Sequence, residues 1–309
     1  MNLPLVDADA LIRRVATNIP VRMRKHVVIV GSVAAAYAFR DLPGHGTVAT
    51  KDIDVLLRPA SRAIASATSI GTRLLADGWK PVYKEGFGPV RPSEENRPLP
   101  ALRLCPPDDD EGWFVELMAV PPKDQTARRD WRRFLTPQGV FGIPSYRRTP
   151  VAIHAASETP YGIRVARPEC MAMANLLEHA DPDTSTFGDR EDARYIKDVG
   201  RAVALWWLAN VQSVVAYDHW QATLSAAIEA LYSDAIDEMC MAALQGLATI
   251  DANLITAHTI AVESLLAPYG TSLGAFERAR DSLRALLFTL PARRTPVSPI
   301  SKRSKRPIP

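Results

Sequence analysis

Cysteine is scarce in this chain. The 309 residues hold three, Cys105, Cys170 and Cys240. Their odd number and scattered positions fit neither a disulfide framework nor a zinc site, and they point to a reducing, cytoplasmic setting. Long apolar runs are missing too. None approaches the ~20 residues of a membrane-spanning helix, so no membrane role is expected. The N-terminus has acids, Asp7 and Asp9, ahead of Arg13 and Arg14, and lacks a signal-peptide pattern. Internal repeats are not evident. Acid is absent from the last nineteen residues, which carry six Lys or Arg. With a formal net charge of +3, the body is therefore mildly acidic and the tail basic. Such a tail either steers towards nucleic acid or is a solvated, disordered end. What is present is ordinary for a soluble globular protein: 47% hydrophobic and 23% charged. The length suggests two domains, each burying a core.

The most informative stretch runs from His26 to Leu57. Val27-Val28-Ile29-Val30 is short and β-branched, as a buried strand is. Gly31-Ser32 stops it, and a small-residue helix follows from Val33 to about Arg40. After a turn-rich segment, Leu42 to Gly46, a second apolar strand carries Asp52 and Asp54. Residues i and i+2 of a strand share a face, so the two carboxylates aim together, with Cα atoms roughly 6.6–7 Å apart. That pair suits a hard divalent ion such as Mg²⁺, which takes oxygen ligands and keeps waters and substrate phosphates in its shell. Gly31-Ser32 at a helix start suits an anion. The first N–H groups are unpaired, the helix dipole is positive there, and glycine admits a phosphate close to the backbone. Ser32 can cap the helix or donate to a phosphate oxygen.

This order, Gly31-Ser32 after one strand and Thr50-Lys51-Asp52-Ile53-Asp54 in the next, resembles the active-site signature of the polymerase-β-like nucleotidyltransferase superfamily. The Thr-Lys-Asp-Ile-Asp wording is similar to the abortive-infection toxin nucleotidyltransferases of type IV toxin–antitoxin systems. The resemblance implies an α/β (α+β) nucleotidyltransferase domain with a mixed sheet, residues 1–166. An all-α helical bundle would follow over 167–290, with a disordered basic tail over 291–309. It implies Mg²⁺-dependent transfer of a nucleoside monophosphate from a nucleoside triphosphate to an acceptor hydroxyl. Asp52, Asp54 and Glu116 would be the catalytic and metal-binding carboxylates. Gly31, Ser32, Lys51, Lys197 and Asp198 would bind nucleotide. Glu116 is the lone acid of the strand Trp113–Met118, where the family's third carboxylate stands, usually as Asp. Lys197-Asp198 resembles the Lys-Asp pair that the toxin-like members carry on a helix facing the site. Asn175 stands where relatives have a basic residue before Leu-Leu. The acid expected shortly after Lys-Asp is absent, with Arg201 nearby. Implied partners are an RNA acceptor such as tRNA and an antitoxin protein. A protein hydroxyl or a small molecule remains open as acceptor. So does a catalytically inactive nucleotide-binding regulatory or interaction protein. A dinucleotide oxidoreductase is disfavoured, because the second and third glycines after Gly31 are missing.

Elsewhere the pattern predicts a helix from Asp7 to Ile19, and another opened at Pro59-Ala60 with Ser61 as its cap. It predicts strands at Trp79–Tyr83 and Ala101–Cys105, a loop over 85–100, and an acidic turn at Asp108–Glu111. Between 123 and 148 seven basic residues interleave with Trp131, Phe134 and Tyr146, and Asp124 and Asp130 leave a local charge of +5. That composition suits single-stranded nucleic acid, or a helix turn with solvated arginines. Short β-like pieces are expected at Val151–Ala155 and Gly162–Val165. From Pro168 to Leu290 the periodicity is helical.

Overall fold

The computed structural model describes residues 5–44, 46–94, 96–107, 112–180 and 189–290. Its first part is a mixed α/β region. The elements are β1 (Leu5–Asp7), α1 (Ala8–Asn18), α2 (Val21–Arg24), β2 (Val27–Val30), α3 (Gly31–Ala38), β3 (Thr47–Ala49), β4 (Asp52–Leu57), α4 (Ala60–Ala76), β5 (Lys80–Pro81) and β6 (Arg103–Cys105). They continue with β7 (Phe114–Ala119), β8 (Arg129–Thr136), β9 (Gly139–Tyr146), α5 (Thr149–Ala152), β10 (Ser157–Glu158) and β11 (Arg164–Val165). Among the described residues only helices follow: α6 (Pro168–Glu178), α7 (Asp189–Gln212), α8 (Ala216–Tyr232), α9 (Ile236–Ala248), α10 (Leu254–Val262) and α11 (Leu273–Phe288), with short 3-10 turns between some of them.

Among the described residues the main sheet has nine strands, in the order β10-β11-β2-β4-β7-β6-β5, with β9 beside β7 and β8 beside β9. It is mixed. β2 runs antiparallel to β4, and β4 runs parallel to β7. Ile53, Val55, Leu57, Val115, Leu117 and Ala119 alternate onto one face and are all buried. The other face of the same two strands carries Asp52, Asp54 and Glu116 before it turns apolar at Leu56 and Met118. Acids therefore occupy one end of this face of β4 and β7, and apolar residues the other.

Local signals explain most boundaries. Asp7 caps α1 by accepting from the Ala10 N–H at 2.7 Å, and Ser272 caps α11 through Ala275. Gly270 takes a left-handed conformation just before it. Some expectations need correction. Ser61 is not a cap, because α4 already starts at Ala60 after Pro59 and no side chain caps it. Val151–Ala155 is not extended. Pro150, at the start of α5, has its φ preset for a helical turn. The strand expected at Trp79–Tyr83 shrinks to Lys80–Pro81, where Pro81 lacks an N–H to extend the ladder. Most of the basic stretch is not a helix turn but the β8–β9 hairpin, paired from Arg129↔Tyr146 to Thr136↔Gly139. The acidic turn at Asp108–Glu111 and the basic tail, 291–309, lie outside the described residues.

The two parts share their interior. Buried side chains from Val6 to Leu290 form one contiguous cluster. The glycine at 246 lets α9 lie directly on the Leu176 backbone of α6. One stretch, Ile236–Val262, is apolar enough by composition to cross a membrane. It is divided between α9 and α10 by a turn and a 3-10 segment, and Met239, Ala243, Leu247 and Ala257 are buried in the bundle.

Candidate active site

The site is built where β2 ends. Val30 is the last residue of the strand and also the N-cap of α3, and no side chain caps that helix. Gly31, in between, has φ +76°, which favours glycine. Its neighbour across the sheet is the reason it is also small. The antiparallel β2–β4 register sets Asp54 opposite Val30, and a Cβ on Gly31 would lie 2.7 Å from Asp54 Oδ2. The parallel β4–β7 register sets Glu116 directly beside Asp54. Register partners in a parallel pair point the same way, so Asp54 and Glu116 share a face, with Asp52 two residues earlier on it. The bend, the two aspartates and Glu116 thus come together at one sheet end.

Each acid has a different environment. Asp52 is exposed, and its Oδ1 accepts from the buried Thr50 hydroxyl at 2.9 Å. Glu116 Oε2 accepts from Arg103 Nε at 2.7 Å, and Arg103 sits opposite it on β6. The Arg103 guanidinium also lies 5.3 Å from the Phe114 ring centroid. Asp54 is partly buried, and among the described residues no cation is hydrogen-bonded to it. Burial, then Asp52, then Glu116 push its carboxyl up to about 7, against the pull of Arg201 and Arg194. Burial is the largest of these causes, and the two carboxylates beside Asp54 outrank the two arginines.

The helical part supplies those cations. On α7, residues 194, 197, 198 and 201 fall on one stripe. Arg201 Nη2 donates to the Ser32 hydroxyl at 3.3 Å. Ser32 therefore accepts from Arg201 and does not cap α3. Lys197 shares the stripe and is exposed. Asp198 is turned inward: its Oδ2 meets His179 Nε2 at 3.1 Å and Arg194 Nε at 3.5 Å, and its backbone carbonyl accepts from Asn175 Nδ2 at 3.1 Å. Burial would raise the Asp198 carboxyl, but the His179 hydrogen bond and the Arg201 and Arg194 charges outweigh it and carry it down to about 2. Its carboxylate ties α7 to His179 at the end of α6 and pairs with Arg194 along its own helix. Arg201, one turn on, is the side chain that reaches the bend. Lys51 is exposed at the head of β4, where its carbonyl accepts from the Phe114 N–H.

Sequence reasoning assigns no role to four of these groups. Thr50 and Arg103 hold the acids, and Arg201 and Arg194 balance them. For Arg103 a signal existed: a lone cation alternating with Leu102 and Leu104, in the strand before the one that carries Glu116.

Among the described residues no group of three His, Cys, Asp or Glu side chains is gathered closely enough to hold a metal ion. Glu116 is drawn to Arg103, so the three acids do not form a closed cage. The donors available are all oxygens, and a buried carboxyl raised by desolvation and by two neighbouring acids would be stabilised by a cation. This set fits Mg²⁺ held by Asp52 and Asp54, with water and substrate oxygens completing its shell.

Beyond the acids runs an aromatic and basic ledge. The Arg129 guanidinium is 4.2 Å from the Trp131 ring centroid and 5.5 Å from that of Tyr146, and Arg194 stands 5.9 Å from Tyr146 on its way to the acids. Most of the other arginines of the hairpin are engaged internally. Arg128 pairs with Glu178 at 2.7 Å, Arg132 donates to the Ala60 carbonyl and Arg133 to that of Pro92.

Compared with protein-family models, curated proteins and solved structures, the chain matches none.

Proposed function

We propose that the chain is a Mg²⁺-dependent nucleotidyltransferase of the polymerase-β-like kind, acting in the cytoplasm. The observation that carries this reading is the setting of Asp54, packed against the Gly31 bend and flanked by Asp52 and Glu116 on one sheet face. A nucleoside triphosphate would lay its β- and γ-phosphates on the Gly31-Ser32 bend, against the first turn of α3 and the Arg201 guanidinium. Asp52 and Asp54 would hold Mg²⁺, which supplies charge stabilisation to the transferring phosphoryl group when bound. The Glu116 oxygen not bonded to Arg103 would accept the proton of the acceptor hydroxyl. The acceptor oxygen then bonds the α-phosphorus, the bond to the bridging oxygen breaks, and pyrophosphate leaves. RNA, such as a tRNA end, is the favoured acceptor, because Arg129, Trp131, Tyr146 and Arg194 combine stacking faces with positive charge. A toxin role, restrained by an antitoxin protein, belongs to the same reading.

A second reading rests on a specific observation. Glu116 is committed to Arg103 and no three-acid group is assembled, as suits a protein that binds nucleotide without reacting it. One experiment separates the two. The chain is incubated with Mg²⁺ and each labelled nucleoside triphosphate, in the presence of total RNA or total protein, and pyrophosphate is measured. Labelled RNA with stoichiometric pyrophosphate is the expected result. Labelled protein would keep the chemistry and change the acceptor. Triphosphate binding with no pyrophosphate from any nucleotide would leave the inactive reading.

Arg201 offers a finer test. Arg201→Gln removes a charged donor from the bend, and a hydrogen bond to a charged group is worth about 1.5–3 kcal/mol. The KM for the triphosphate is expected to rise roughly tenfold or more. An unchanged KM would mean that the phosphates do not lie against this side chain.

A further inference from the structure

We propose that Phe114 and Arg103 form the shelf on which the terminal base of a single-stranded RNA acceptor stacks, bringing its 3′ hydroxyl to the acids. The proposal rests on the transferase reading and assigns the acceptor side of that same site.

Strand order gives the direction of approach. Across this part of the sheet run β2, β4, β7, β6 and β5. The bend that would take the β- and γ-phosphates ends β2, the two aspartates stand on β4, and Glu116 stands on β7. In an in-line displacement the attacking oxygen reaches the α-phosphorus from the side opposite the leaving pyrophosphate. An acceptor that gives its proton to Glu116 therefore comes in over β7 and β6, away from the bend.

That part of the sheet presents an aromatic ring and two cations. The β4–β7 register pairs Phe114 with Asp52, and Phe114 is two residues from Glu116, so its ring lies on the face of the acids. β7 is an interior strand, between β4 and β6, and its other apolar side chains, Val115, Leu117, Met118 and Ala119, are buried. Phe114 is only partly buried. Among the described residues it belongs neither to the continuous interior nor to the partly buried apolar side chains packed against it. The Arg103 guanidinium stands 5.3 Å from its ring centroid, while Arg103 Nε donates to Glu116. Arg103 thus ties the ring to the acid that would take the proton. Farther out on this face is Lys80 of β5, which is exposed. Its register partner, Cys105, is two residues from Arg103. A ring, a guanidinium beside it and a lysine beyond match a terminal base followed by the phosphates of the strand that carries it. A polycationic small molecule would meet two like charges there. The shelf is distinct from the Arg129–Tyr146 ledge, which borders β7 at its other end, where Ala119 pairs with Ser145.

Fluorescence anisotropy of short 5′-labelled single-stranded RNA, with the full chain and Mg²⁺ but no triphosphate, tests this. One probe ends in an ordinary 3′ adenosine, and the other in an abasic ribose with the same 3′ hydroxyl. The parent is expected to bind the first roughly tenfold more tightly, the scale of one base stacked on an aromatic side chain. Phe114→Leu, which keeps apolar bulk without a ring, should abolish that preference, and Phe114→Trp should retain it. In the transfer reaction Phe114→Leu should raise the KM for RNA roughly tenfold and leave that for the triphosphate unchanged, a split that a loosened fold would not give. No binding of either probe, equal binding of both by the parent, or a preference that survives in Phe114→Leu would each overturn the proposal. A rise in the triphosphate KM alone would do the same. Base preference in a parent that releases no pyrophosphate with any triphosphate would support the shelf and overturn the transferase reading.

Discussion

Replacing Asp54 by Asn is expected to cut nucleotidyl transfer by about 10²–10³-fold or more, the scale on which removal of one charge-stabilising group acts. The same change should make the protein more stable. Asp54 is held up near 7 by burial and by the neighbouring Asp52 and Glu116 carboxylates, far above the carboxylate of an unfolded chain at 3.8. Above pH 7 the folded protein must carry that charge at a cost, whereas in the unfolded chain it is solvated. As pH falls through 7 the folded carboxyl takes up a proton while the unfolded one remains ionised, so stability attributable to this group rises until about pH 4. Asn never bears the charge. In metal-free buffer Asp54→Asn should therefore melt higher than the parent above pH 7, and the advantage should shrink as pH approaches 4. Added Mg²⁺ should raise the melting temperature of the parent and leave that of the variant much less affected. Thermal unfolding across pH, with and without Mg²⁺, reads all of this. A variant that is both less stable and fully active would mean that this carboxylate is neither strained nor used.

The second large effect is expected at Gly31. An alanine there would have to sit at φ +76°, a conformation that costs a residue with a Cβ roughly 1–2 kcal/mol. Its Cβ would also stand 2.7 Å from Asp54 Oδ2, so the carboxylate would have to move. Displacement of a reacting group by about 1 Å can cost about 10²-fold in rate. Gly31→Ala is therefore expected to lose about two orders of magnitude in transfer, with only a modest loss of unfolding free energy. The comparison that matters is between the two readouts. A stability loss alone, with activity intact, would show that nothing reactive passes between the bend and Asp54. Loss of activity in a protein that still unfolds cooperatively would tie the bend to the chemistry.

Arg201 and Asp198 show why function could not be assigned residue by residue along the helix. The Lys-Asp pair at 197–198 drew notice because adjacent residues make a recognisable word. In the fold, the Asp of that word faces His179 and Arg194, while Arg201 reaches a serine 169 positions earlier in the chain. Three or four residues along a helix separate an exposed lysine from a charge-bearing contact, and only the packing of α7 decides which of them arrives.

The chain by itself determined the local parts: a β-branched strand stopped by Gly31-Ser32, two aspartates two apart in the next strand, and helical periodicity from Pro168 onward. These follow from side-chain period, caps and glycine conformation, all of which act among near neighbours. Tertiary structure alone decided the rest. It set Glu116 in register with Asp54, gave Glu116 an arginine partner, and aimed Arg201 at the bend. It also folded the basic stretch into a hairpin and joined both halves through one continuous interior. Those outcomes depend on strand register and on which helix stripe meets which sheet end. Both are set by burial summed over distant segments and leave no mark on the spacing within any one of them.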